Sequence, residues 1–169
     1  MAGDRSGPLR PNQHRSMRSP GGFLIRPAKP EEAEAVAACV KTAYRHYVER
    51  IGKTPAPMLD DYAQVLRSRQ VMVALIDSTV VGVLVMAVTD EGFLLENVAV
   101  VPACQGQGVG RALLEMAEQT AAAQGFGSIY LYTNEQMTEN VALYAKIGYA
   151  EYDRRAEMGL SRIYMRKRF

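Results

Sequence analysis

Cysteine is scarce in this 169-residue chain, which holds Cys39 and Cys104 and no other. Two cysteines cannot build the disulfide framework of a small secreted domain, and without a C-x-x-C pair there is no zinc signature. A reducing, cytoplasmic setting and no metal are the expectations that follow. Long apolar runs are lacking too. The longest, residues 80–88, is broken by Gly82 and falls well short of the roughly 18 residues of a membrane-spanning helix, so no membrane partner is expected. A basic face is also missing. The formal net charge is +2, but residues 1–22 carry +3 and the last eight residues +4, which leaves −5 on the body. Basic ends on an acidic body argue against a nucleic-acid partner.

What is present suits one folded domain. The length lies within the usual range of a single domain, and 48% hydrophobic with 22% charged residues is enough to bury a core. Residues 1–22 contain Pro8, Pro11 and Pro20 among glycine, serine and arginine, with few apolar side chains, so they read as a disordered basic extension. They lack the apolar face of a transit helix and the apolar centre of a signal peptide. Order is expected from Phe23, and the domain is read as residues 23–169.

Phe23, Leu24 and Ile25 begin a short strand. Pro30, Glu31 and Glu32 open a helix, with Val36, Val40, Ala43, Tyr44 and Tyr47 along one face. A loop at 51–57 leads to a second helix striped by Leu59, Tyr62, Ala63 and Leu66. Strands follow at 71–76, 80–88 and 93–101, the first two forming a hairpin by spacing. A helix with Val109, Ala112, Leu113, Met116, Ala117 and Thr120 on one face comes next, then a strand at 129–133 and a short helix from Asn140. A hairpin over 149–158 and 161–168 closes the chain. The fold class is α/β (α+β): a mixed, mostly antiparallel central sheet flanked by about four helices.

The most informative stretch runs from Val98 to Arg111, where a strand passes through Gly106, Gly108 and Gly110 straight into a helix. Glycines there let the backbone approach a ligand, and the free N–H groups of a helix start attract an anion such as a pyrophosphate. A Walker A loop is excluded because Gly110 is followed by Arg111 and Ala112 rather than Lys and Ser or Thr. A dinucleotide fingerprint is excluded by the glycine spacing and by its place past the middle of the chain. The remaining pattern is Q-x-x-G-x-G, from Gln105 to Gly110.

That pattern resembles the signature of the GNAT superfamily of acetyl-CoA-dependent N-acetyltransferases. The segment Leu143-Tyr144-Ala145-Lys146-Ile147-Gly148-Tyr149 is similar to the family's LYxxxGF/Y segment, and the likeness in element order covers residues 23–168. The resemblance implies acetyl-CoA as co-substrate, its pyrophosphate on Gln105, Gly106, Gln107, Gly108, Val109, Gly110 and Arg111. It implies a pantetheine arm beside the backbone of Val98, Ala99 and Val100, like a strand added to an open edge. Many members carry an asparagine seven residues before the tyrosine. Here that place is Met137, and Asn140, four residues before Tyr144, is carried as the cofactor contact.

The implied reaction is attack of an amine on a thioester, with loss of the CoA thiolate. An alkylamine with a pKa near ~10 must first lose a proton. Glu96 is the candidate base; simple alternation puts it on the face of Leu94 and Val98 within an otherwise apolar strand. Its plain reading is a partner for an arginine. Tyr144 is the candidate acid for the departing sulfur, and its plain reading is packing beside Leu143 and Ile147. The N–H of Val98 is placed to hold the thioester oxygen. Cys104 reads as a spacer, since neither His14 nor His46 is placed to activate it. Tyr44, Tyr47, Ile51, Lys53, Met58, Asp61 and Tyr62 surround the loop that lines the acceptor site in similar families. The expected activity is acetyl transfer from acetyl-CoA to a primary amine in a ternary complex. The alternatives are a protein N-terminal or lysine acetyltransferase, and an acyl-CoA-binding module. The partner is a small-molecule amine or a peptide amine, with a homodimer left open.

Overall fold

Valine and leucine dominate residues 70–100, and these residues form the antiparallel centre of the sheet. The computed structural model describes residues 16–18 and 20–169. In chain order its elements are β1 (Met17–Arg18), β2 (Leu24–Pro27), α1 (Ala33–Tyr44), α2 (Tyr47–Ile51), α3 (Tyr62–Ser68), β3 (Gln70–Ile76) and β4 (Thr79–Thr89). Then come β5 (Gly92–Val100), α4 (Val109–Ala123), β6 (Ser128–Asn134), α5 (Thr138–Lys146), β7 (Ala150–Glu157) and β8 (Leu160–Arg168). The eight strands lie in the order β1-β2-β3-β4-β5-β6-β8-β7. This is the mixed, mostly antiparallel sheet expected, with β5 and β6 as its parallel pair. A parallel pair needs a crossover, and α4 supplies it.

Helices cover both faces. On one, Leu113, Met116 and Ala117 of α4 pack against Met72, Leu84, Phe93 and Leu95. Gly82 makes this approach possible: a Cβ there would stand 3.0 Å from both Leu113 Cδ1 and Val109 Cγ1. On the other face, Val36 and Val40 of α1 and Tyr62 of α3 pack against Val73, Val83, Val85 and Ala99. The far end of the sheet is tied back by ions and rings. Arg155 pairs with Glu91 in the β4–β5 turn and lies 4.0 Å over the Tyr164 ring.

Three features depart from the sequence reading. The helix opening near Pro30 does not run through to Tyr47; α1 ends at Tyr44, and the short α2 closes at Gly52 with φ 73°. Pairing begins before Phe23, since Met17 pairs with Ile25 and Arg18 with Leu24. Backbone pairing to an open edge needs no apolar side chains, so composition does not disclose it. Within the expected extension, residues 1–15 and 19 lie outside the described residues. Third, β5 carries a bulge: Asn97 pairs with Val85 and Leu95 with Met86, which leaves Glu96 without a partner on β4. Among the described residues no helix is long and apolar enough to cross a membrane.

Candidate functional site

β5 and β6 meet only at their beginnings, through Phe93 with Ile129 and Leu94 with Tyr130. Beyond Leu94 the two strands part. Val101 donates its N–H to Val81 O at 2.9 Å, so alternation along β5 turns the N–H and C=O of Val98 and Val100 away from β4, toward the gap. Two side chains reach into that gap: Tyr44 OH lies 3.5 Å from Val98 O, and Gln105 Nε2 donates to Val100 O at 3.3 Å. A cavity of about 1000 Å³ opens there, lined by the strand, by the glycine turn and by α5.

The turn ends in the first residues of α4. Gly106 and Gly108 have φ of 78° and 86°, the left-handed region that disfavours other residues, and no atom stands within 4 Å of a Cβ added at either. Gly108 caps α4, and Ala112 N donates to Gly108 O at 3.0 Å. Helix geometry leaves the N–H groups of Val109, Gly110 and Arg111 without acceptors inside the helix, facing outward at its positive end. Gly110 sits close to β5, where an added Cβ would touch Val100 Cγ2 at 3.6 Å. Of the residues singled out in sequence, Val98, Ala99, Val100, Gln105, Gly106, Gly108, Gly110, Arg111, Asn140 and Tyr144 all line this one cavity. Two of the cofactor candidates do not: the Val109 side chain is buried in the core, close to Gly82 of β4, and Gln107 is exposed and does not line the cavity.

α5 supplies the opposite wall. Tyr144 is buried at 7% exposure, edge-on to Tyr149 with ring centroids 5.7 Å apart. Burial pushes its hydroxyl pKa well above the usual tyrosine range, with Tyr47 adding to the effect. That hydroxyl makes no hydrogen bond with the described residues. Asn140, in the first turn of α5, accepts from Tyr47 OH at 3.5 Å, and its Nδ2 lies 3.6 Å from Met137 Sδ. Met137 itself is buried beneath the start of the helix, with Thr133 Oγ1 3.7 Å from its sulfur.

A smaller cavity of about 170 Å³ adjoins the first, and Tyr44 lines both. Glu96 faces this smaller space rather than the larger one. Simple alternation fails here because the bulge at Glu96 breaks the period of two: Leu94 packs with Tyr130 and Tyr164, while Val98 packs on the opposite, α4 side. The Glu96 carboxylate accepts from Arg69 Nε at 3.0 Å, so its arginine partner is real. Beside it, buried Asn97 accepts from Tyr44 OH at 2.7 Å, and its amide reaches Tyr62 OH at 3.5 Å. Tyr62 OH donates in turn to Pro57 O at 2.6 Å. Burial raises the Tyr44 and Tyr62 hydroxyl pKa values, so both remain protonated donors.

Arg162 closes another side. It is paired with Glu157 at 2.6 Å and lies 4.9 Å over the Tyr132 ring. Among the loop residues named from sequence, Tyr44, Ile51 and Tyr62 line the smaller cavity, and Tyr44 and Tyr47 the larger. Met58, Asp61 and Lys53 line neither. Asp61 caps α3 by accepting from Ala63 N at 3.0 Å, and Lys53 donates to Met158 O at 3.3 Å. Sequence reasoning did not single out Asp60, Asn97, Tyr132 or Arg162. For Asn97 a signal existed: two polar residues in succession inside an apolar strand mark a bulge.

A model described as the Acetyltransferase (GNAT) family matches residues 36–149. A mycothiol acetyltransferase of Jonesia denitrificans is 46% identical over 55 residues, 32% of this chain and 18% of that protein. An IAA acetyltransferase of Azospirillum brasilense is 35% identical over 82 residues, 47% of this chain and 54% of the relative. The chain thus spans only part of the length of either curated relative. Among solved structures, the PaiA N-acetyltransferase from Thermoplasma acidophilum in complex with coenzyme A superposes with a TM-score of 0.75 at 17% identity, covering 87% of this chain and 99% of that one. A GNAT family acetyltransferase from Elizabethkingia anophelis with acetyl-CoA bound gives 0.65 at 20% identity, covering 88% and 99%. At these identities the likeness is one of fold.

Proposed function

The chain belongs to the acetyltransferase (GNAT) family, and on that premise we propose that it moves an acetyl group from acetyl-CoA to a primary amine by direct attack in a ternary complex. The observation that carries this reading is the parting of β5 from β6 after Leu94, beside a glycine-lined helix start. The open backbone of Val98 and Val100 suits the amides of a pantetheine arm, as a strand added to an edge. The open turn at Gly106 and Gly108 and the N–H groups opening α4 suit a pyrophosphate. Acetyl-CoA, when bound, supplies an electrophilic thioester carbonyl.

The chain's own groups then divide the work. Glu96 takes the proton that the ammonium must lose, through a water, while Arg69 holds the carboxylate in place. The amine nitrogen bonds to the carbonyl carbon, the carbon–sulfur bond breaks, and the electron pair leaves with sulfur. Tyr144, kept protonated by burial, gives its proton to that sulfur, and the second proton that the nitrogen sheds once the N–C bond has formed restores the Tyr144 hydroxyl. The Val98 N–H donates to the carbonyl oxygen as negative charge gathers there. The acceptor enters by the smaller cavity, where Glu96 lies.

The test is release of CoA from acetyl-CoA over a panel of amines, amino acids and peptides, with Glu96→Gln beside the native chain. The expected result is amine-dependent release in the native chain and a rate–pH profile whose acidic limb moves or vanishes in Glu96→Gln, with acetyl-CoA affinity retained. Tight acetyl-CoA binding with no release for any acceptor would leave an acyl-CoA-binding module instead. An unchanged limb and unchanged turnover would return Glu96 to a structural partner of Arg69.

A further inference from the structure

Arg162 is the one cation that lines the smaller cavity among the described residues; Glu96 and the exposed Asp60 line it too. Its side chain is only 15% exposed and is fixed by two neighbours. The guanidinium lies 4.9 Å over the Tyr132 ring, and Nη1 donates to Glu157 at 2.6 Å. Glu157 accepts in turn from Tyr164 OH at 3.0 Å and does not line the cavity, so it holds the arginine without occupying the space. The other guanidinium nitrogens, Nε and Nη2, make no hydrogen bond with the described residues. A second donor stands beside them. Asn134 pairs with Arg162 across β6 and β8, which puts both side chains on one face of the sheet, and it lines the same cavity. Its Oδ1 accepts from Gln136 N at 2.8 Å, which orients the amide and leaves Nδ2 with no partner among the described residues. Nε, Nη2 and Nδ2 donate and cannot accept, so they suit an anion. Burial raises the Tyr132 hydroxyl pKa, with Glu96 adding to the rise and Arg162 opposing it, so both charges lie near one ring.

Resting on the acetyl-transfer reading above, we propose that the acceptor is a small amino acid, whose carboxylate is held by Arg162 and Asn134 while its amine stands beside Glu96 and is acetylated. The cavity then matches a zwitterion, with a carboxylate for the amine and N–H donors for the acid. A planar guanidinium takes a carboxylate through parallel N–H bonds, and stacking on Tyr132 keeps that fork in one orientation. Glu157 already offsets part of the arginine's charge, so a singly charged carboxylate suits the site better than a doubly charged phosphate. The space, about 170 Å³, has room for a small molecule rather than a folded surface.

The discriminating acceptors are glycine, β-alanine and 4-aminobutanoate, each set against its own primary amide, which lacks the negative charge. For the acid that fits best, kcat/KM in the full chain should exceed that of its amide by roughly tenfold to a hundredfold, the range of a hydrogen bond to a charged group. In Arg162→Gln that ratio should fall at least ~10-fold, with KM for the acid rising and use of the amide retained. In Asn134→Asp, which keeps an acceptor for Gln136 N and turns the donor into a negative charge, it should fall as far. The second variant decides should the first fail to fold. Amides used as well as the acids by the native chain, or a ratio that survives either substitution in a folded chain, overturns the proposal. So does a preference for 2-aminoethyl phosphate, or acetylation of a lysyl peptide but of none of the acids. Should no amine release CoA, the acetyl-transfer reading fails by itself, and calorimetry with the same acids decides the carboxylate site. Binding weakened at least ~10-fold in Arg162→Gln supports that site; binding that is absent or unaltered removes it.

Discussion

The two cavities share Tyr44 but are built from different material. The larger one draws its most distinctive surfaces from main chain: the open edge of β5 and the N–H groups at the start of α4. The smaller one is a composite of side chains contributed by α1, α2, the loop before α3, α3 itself, β4, β5, β6, the turn before α5, and β8. Main-chain surfaces depend on where glycine sits and where strands part. They tolerate wide change in the side chains around them. A pocket assembled from nine segments of the chain has no such economy; every substitution in its walls alters its shape or charge. The first kind of site holds what a whole family binds, and the second is free to distinguish one member's ligand from another's.

The contrast is broken most severely at Gly108. A valine there adds a Cβ in left-handed backbone at the mouth of the turn, so acetyl-CoA binding should fall below detection by calorimetry. The fold should survive, since one such residue costs about 1–2 kcal/mol. Undiminished affinity in a folded Gly108→Val chain would mean that the pyrophosphate sits elsewhere. Next in size is Tyr144→Phe, which removes a hydroxyl that bonds to no described residue. Turnover should drop on the order of 10²-fold with melting temperature and acetyl-CoA affinity unmoved. Near-normal turnover would reduce Tyr144 to its edge contact with Tyr149.

Asn97→Ala acts on stability rather than chemistry. It strips the Tyr44 hydroxyl of its 2.7 Å acceptor and should cost about 1–3 kcal/mol by denaturant titration. A change within error would show that a water replaces the amide. The smallest effect is expected from starting the chain at Phe23. That removes the two-residue β1, whose side chains are exposed, and composition gives the residues before it little to bury. A loss of several degrees in melting temperature would show that the preceding segment packs on the domain.

The legibility of each part follows from how local its cause is. Strand and helix order could be read because periods of two and 3.6 are written into consecutive residues, as in α4 from Val109 to Thr120. The glycine turn could be read because positive φ demands glycine at Gly106 and Gly108. The bulge at Glu96 was not anticipated: it is a matter of register between β4 and β5, and it puts Leu94 and Val98, which alternation assigns to one face with Glu96, on opposite faces. The strand pair at Met17 and Arg18 escaped notice because an open backbone edge, rather than an apolar side chain, receives it.

Tyr44 stands in the wall of both cavities, its hydroxyl on Asn97 and close to the Val98 carbonyl. A ring shared in this way makes the two occupants thermodynamically dependent. Whatever factor a ligand in the larger cavity applies to affinity in the smaller, by turning or pinning that ring, the second ligand returns to the first in equal measure. Order of addition is then a property of one side chain: the occupant that fixes Tyr44 first bears the entropy of fixing it, and the one that follows binds to a surface already set.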